Sequence, residues 1–223
     1  MTADSDNTPA SMAARIILEG GAVHVRTDGE PFFFSSGWAS PAFIDLKRLI
    51  SVSSARERLM DLMMGRIKAI YPDGSFDQIA GCELAGVPFA TIAADRLHLP
   101  LVIALKQARG FDRLSQCEGT FDPGTRTLLV DDLTTDGKTK SNFKHALERA
   151  GADVVGIFVI FNYGIFPSTP AIGSLTSLEE IINSAEQHGL LAQDALARIK
   201  AFADDPVEWS RLHGGNARHT GYP

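Results

Sequence analysis

The chain has 223 residues, 44% of them hydrophobic and 22% charged, which suits one ordinary globular domain and excludes a charge-rich disordered chain. Its 21 Lys and Arg against 27 Asp and Glu give a net charge of −6, which argues against nucleic acid as a partner, since its binders carry a basic face. That balance still allows a local basic pocket for a small anion.

In chain order, residues 1–10 read as a disordered tail without a signal segment. Ser11 caps a short apolar helix over 12–18, ended by Gly20 and Gly21. Short strands over 22–25 and 32–34, with Asp28-Gly29 between them, predict a hairpin. Ser35-Ser36-Gly37 breaks the second strand, and 43–46 resumes an extended run. From Ser54, Leu59, Met63, Ile67 and Ile70 recur at helical spacing until Pro72 and Gly74. A strand at 78–82, a helix at 88–97 and a strand at 101–105 follow; 107–123 shows no clear period. A strand at 127–130 runs straight into Asp131-Asp132, and a helix over 138–150 stops at Gly151. The strand at 154–161 is the most apolar and far too short to span a bilayer, so no membrane partner is expected. Two amphipathic helices close the pattern near 178–187 and 193–203. The alternation predicts the α/β class, a central mostly parallel sheet flanked by helices. After the tail at 1–10, one domain over 11–223 divides into a small N-terminal hood (11–50), a core (51–165) and a helical C-terminal segment (166–223). Cys82 and Cys117 form no CxxC pair and do not cluster with the histidines, so a cytoplasmic chain without zinc is expected.

The strongest chemical signal is Val130-Asp131-Asp132-Leu133-Thr134-Thr135-Asp136-Gly137-Lys138-Thr139-Lys140. In an open parallel sheet, ligands bind beyond the carboxyl ends of the strands. A helix start offers free N–H groups and a positive dipole to a phosphate. Thr135 and Thr139 add hydroxyl donors, and Gly137 lets the backbone approach closely. Two acids beside a phosphate repel it, unless they hold the hydroxyls of an attached sugar or a Mg²⁺ ion. A solvated turn with a helix cap, or a receiver-type acid pair, is the alternative reading of these residues alone.

The run resembles the phosphoribosyl diphosphate (PRPP) signature of type I phosphoribosyltransferases. Phe34-Ser35-Ser36-Gly37-Trp38-Ala39-Ser40-Pro41-Ala42-Phe43, Gly81-Cys82-Glu83-Leu84-Ala85-Gly86 and Asn162-Tyr163-Gly164-Ile165-Phe166-Pro167 are similar to segments of the orotate phosphoribosyltransferases, the last to a branch common in alphaproteobacteria. The resemblance covers roughly residues 11–215. It implies the type I phosphoribosyltransferase fold and transfer of a phosphoribosyl group from PRPP to orotate in pyrimidine synthesis. It implies that Asp131 and Asp132 bind the ribose hydroxyls and, mainly through substrate or water, Mg²⁺. Thr134, Thr135, Asp136, Gly137, Lys138 and Thr139 surround the 5-phosphate. Glu83, Leu84, Ala85 and Gly86 face the diphosphate. Lys106 and Arg109, with Arg113, lie on a mobile basic loop over 105–119 that completes the site of the partner in a homodimer. Ser36, Phe43 and Thr135 hold orotate, and Lys47 or Arg48 extends the positive field.

The sequence departs from the family at Leu105, where an arginine is usual, at Gln107, and at Lys138, which replaces a glycine. The arginine that many members use for the orotate carboxylate is absent at Asn162-Tyr163. These departures keep open a related enzyme acting on another base, and a PRPP-binding protein without turnover.

Overall fold

The computed structural model describes residues 7–109, 115–165 and 171–216. In chain order the elements are α1 (Pro9–Glu19), β1 (Val23–Val25), β2 (Phe32–Phe33), β3 (Ala39–Ser40), β4 (Ala42–Ile44), a 3₁₀ helix (Leu46–Ser51), α2 (Ser53–Ile70), β5 (Gln78–Cys82), α3 (Val87–Leu97) and β6 (Leu101–Arg109). There follow β7 (Ser115–Glu118), β8 (Arg126–Thr134), α4 (Lys138–Arg149), β9 (Asp153–Asn162), β10 (Gly173–Ser177), α5 (Leu178–His188), α6 (Gln193–Asp204) and α7 (Pro206–Leu212). They divide into two compact units, one formed by Met1–Arg56, Tyr163–Pro167 and Thr176–Pro223, the other by Glu57–Asn162 and Ser168–Leu175. No helix among the described residues is long and apolar enough to cross a membrane.

The second unit is built on a sheet ordered β10-β9-β8-β5-β6-β7. β5, β6, β8 and β9 run parallel, and β7 returns antiparallel along β6. Ala80 lies opposite both Val102 and Leu129. Alternate residues serve opposite faces. Ala80, Cys82, Val102, Ala104 and Leu129 form one apolar cluster with Phe143 and Leu147 of α4. On the other face a Cβ added at Gly81 would lie 2.9 Å from the Ala90 Cβ, so this glycine lets α3 settle directly on β5. Burial on both faces explains why β5 and β9 read as almost continuous apolar runs.

The first unit gathers sequence-distant pieces. β1 pairs antiparallel with β4, and β2 with β3. Thr176 Oγ1 donates to Ala10 O at 2.9 Å, and Ser210 Oγ accepts the buried Ala39 N–H at 2.9 Å. The Tyr163 hydroxyl donates to Ala42 O at 3.3 Å, and its ring meets Phe34 at 5.3 Å.

Several expectations are corrected. The first helix starts at Pro9, inside the stretch read as tail; Thr8 caps it, accepting the Ser11 N–H at 3.1 Å, and proline suits a first turn. The strands flanking Asp28-Gly29 do not form a hairpin with each other. Asp28 Oδ1 accepts the Glu30 N–H, which bends the chain locally, and each strand finds another partner. The extended run at 43–46 ends at Ile44 and gives way to the 3₁₀ helix. β6 runs on to Arg109 and pairs with β7, inside the stretch read as without period. β10 and α7 were not foreseen, although Asp205-Pro206-Val207-Glu208 is a legible helix start: Asp205 accepts the Glu208 N–H at 3.0 Å.

Candidate active site

The acid pair lies within a strand and not beyond its end. β8 continues through both acids because β9 keeps pairing with it, Asp131 opposite Val159 and Thr134 opposite Asn162. Both carboxylates are therefore buried, Asp131 at 4% exposure and Asp132 at 7%. Asp131 Oδ1 accepts the Asp132 N–H at 2.9 Å, and its Oδ2 pairs with the ammonium of Lys140. Asp132 Oδ1 accepts the Leu133 N–H at 2.7 Å. Burial first, and then the neighbouring Asp131, pushes the Asp132 carboxyl up to about 7. Burial is the largest single influence on Lys140 and works against its charge, but Asp131, Cys82 and Asp132 together hold the ammonium above its usual range.

The sequence reading passed over Lys140. A cue was present: Lys140, Phe143 and Leu147 follow the i, i+3, i+7 spacing of the buried stripe of α4. A lysine on that stripe needs a buried anion, and Asp131 is that anion.

Two further predicted groups meet the pair. A Cβ added at Gly86 would lie 2.6 Å from Asp131 Oδ1 and 2.7 Å from Val130 O, so the turn over 83–86 rests directly against β8 at the acid pair. Glu83 Oε2 accepts the Lys106 N–H at 2.8 Å, and the Glu83 N–H donates to Ala104 O at 2.9 Å. Ala85 is half-buried, whereas Leu84 is exposed; the Glu83–Leu84 peptide is cis. The Lys106 side chain is exposed, as is Gln107. Leu105 is buried, an interior position that would strip an arginine of water. Arg109 pairs with Ser115 across β6 and β7. Its side chain, and residues 110–114 with Arg113, lie outside the described residues.

The loop expected to take the phosphate joins β8 to α4. Thr134 is buried, Thr135 and Asp136 are half-buried, and Lys138 and Thr139 are exposed. Gly137 takes the left-handed angle, φ 80°, so Lys138 enters α4 without strain. Asp136 Oδ1 accepts the Lys138 N–H at 3.1 Å. Among the described residues no three His, Cys, Asp or Glu side chains converge as a metal cage. Two carboxylates with oxygen donors alone suit Mg²⁺, which keeps waters and takes much of its shell from a substrate's phosphates.

The residues expected to hold the base belong to the first unit, except Thr135. The Phe34 N–H donates to Trp38 O at 2.8 Å, closing a turn around Ser35-Ser36-Gly37. Ser36 Oγ is buried without a hydrogen-bond partner among the described residues. Phe43 is half-buried beside Phe32 at 5.8 Å, with the Lys47 ammonium 5.7 Å from its ring centre. Lys47 also pairs with Asp45 at 3.1 Å. Arg48 lies instead beside Gly21.

Comparison with known proteins agrees with this geometry. Residues 55–167 match the phosphoribosyl transferase domain family. The chain is 37% identical over 223 residues to an orotate phosphoribosyltransferase of Jannaschia sp. (strain CCS1), spanning 96% of this chain and 97% of that protein. It is 38% identical over 208 residues to one of Cereibacter sphaeroides (strain ATCC 17029 / ATH 2.4.9), spanning 90% and 89%. The crystal structure of orotate phosphoribosyltransferase from Aeropyrum pernix superposes with a TM-score of 0.67 at 26% identity, over 81% of this chain and 100% of that one. The mostly parallel sheet with flanking helices is the type I phosphoribosyltransferase fold, and the chain belongs to the orotate phosphoribosyltransferases of that family.

Proposed function

We propose that the chain transfers the 5-phosphoribosyl group of PRPP to N1 of orotate, giving orotidine 5′-phosphate and diphosphate in pyrimidine synthesis. The observation that carries the reading is the meeting of the Asp131-Asp132 pair within β8, the Glu83–Gly86 turn that follows β5 and the Lys106 backbone within β6.

Breaking the C1–O bond builds positive charge on the ribose and negative charge on the diphosphate. Asp131 and Asp132 orient the sugar by accepting from its hydroxyls. The N-terminus of α4, with Thr135, Gly137 and Thr139, takes the 5-phosphate. Backbone N–H groups of 83–86 face the diphosphate, and Lys106 and Arg109 neutralise it as it leaves. Ser36 Oγ, stripped of water, supplies a hydrogen bond to an orotate oxygen, and Phe43 walls the ring. Asp131 and Asp132 would help to hold Mg²⁺, mainly through substrate or water, and the ion would supply Lewis-acid stabilisation of the diphosphate. The loop over 105–119 completes the site of a second copy, and the enzyme works in the cytoplasm.

The test is loss of orotate absorbance on mixing protein, PRPP, Mg²⁺ and orotate. Loss should require all four and vanish with chelator or with Asp131→Asn/Asp132→Asn. PRPP binding without orotate loss would instead indicate another base or a sensor.

A further inference from the structure

We propose that Lys140 is a PRPP-positioning residue acting through Asp131: its buried ammonium fixes the Asp131 carboxylate and cancels one of the two negative charges that the acid pair sets against a polyanionic substrate. The proposal rests on the reading that this pair binds PRPP.

Lys140 is 6% exposed and Asp131 4%, and the two form an ion pair inside the second unit. Lysine is among the residues least often fully buried, and burying its charge requires a partner. Lys140 is also the third residue of α4, where the helix dipole opposes a cation. Two electrostatic costs thus fall on one side chain. Fold stability does not account for them, because replacing a buried ion pair with apolar groups of similar volume is often neutral or stabilising. The geometry accounts for them better. Asp131 is gripped on one oxygen by the Asp132 N–H at 2.9 Å and on the other by Lys140. Gly86 closes the third side, since even a Cβ there would sit 2.6 Å from Asp131 Oδ1. The Asp132 carboxylate follows one peptide along and binds the Leu133 N–H. Lys140 is therefore the cation that reconciles adjacent acids with a ligand carrying phosphate and diphosphate.

The experiment measures PRPP affinity by calorimetry with Mg²⁺ on the full chain, and KM and kcat with orotate. Lys140→Met should weaken PRPP binding tenfold or more and raise the PRPP KM similarly, with the orotate KM within twofold. Lys140→Arg should recover part of the loss. In an Asp131→Asn background, Lys140→Met should cost less than a further threefold, because the lysine acts through that carboxylate. A folded Lys140→Met protein that binds PRPP within twofold of wild type would overturn the proposal, and so would losses that multiply in the double variant. If the single variant does not fold, Asp131→Asn/Lys140→Met removes both charges together and is compared with Asp131→Asn: matching PRPP affinities support the role, and a further tenfold loss overturns it. Wild-type protein that binds PRPP but spares orotate defeats the orotate reading and leaves the calorimetric comparison decisive for Lys140. Wild-type protein that binds no PRPP defeats both.

Discussion

In the proposed function, Ser36 and Lys140 serve the substrates in two different ways. Ser36 keeps a buried hydroxyl without a described partner, which costs roughly 1–3 kcal/mol in a free protein. With Ser36 in its proposed role, removing that hydroxyl should relieve the free protein and weaken the orotate complex. Ser36→Ala should leave the melting temperature unchanged or raise it by a few degrees, and should raise the orotate KM about tenfold while the PRPP KM stays put. A melting temperature that falls with both constants unchanged would make Ser36 an ordinary turn residue. Lys140 is the opposite case: Lys140, Asp131 and Asp132 all have partners, and the proposed role lies in the choice of those partners.

Among the elements, the Glu83–Gly86 turn packs directly onto β8. Gly86 leaves no room for a methyl group against Val130 O and Asp131. Gly86→Ala should push the turn off the acid pair and weaken PRPP binding tenfold or more, with the far-UV spectrum retained; normal affinity would mean that the turn and the pair work apart. Much of this core was legible in the sequence. The spacing of Leu59, Met63 and Ile67 marks α2, and the apolar runs of β5 and β9 mark strands buried on both faces. The motif order marked the acid pair and the glycine-containing loop before α4 as well. Pairing was less legible, since β1 joins β4 across an intervening hairpin that local turn chemistry does not encode. β7 carries no β-rich composition and exists because β6 offers it a backbone edge. The acids lie inside β8 because strand length depends on β9 as much as on β8. Lys140 was missed because a buried stripe is searched for apolar residues, and its charge is satisfied only by a residue on another element.

At the scale of the whole molecule, the proposed homodimer makes activity a shared property. If the loop over 105–119 serves the partner, Lys106→Ala and Asp131→Asn/Asp132→Asn variants are each inactive alone but complementary. Mixed and reassembled, they should regain on the order of a quarter of wild-type activity, because half the dimers are hybrids with one intact site. No recovery in hybrids verified by mass would place the whole site in one chain. The first unit carries a different consequence, for the order of events during synthesis. The hood's strands and first helix are anchored by Ser210 and Thr176, 171 and 166 residues downstream of Ala39 and Ala10. The second unit is nearly contiguous from Glu57 to Asn162 and can fold as it emerges from the ribosome. Hood residues made before it stay unanchored until most of the chain has been translated, so the part made first is finished last.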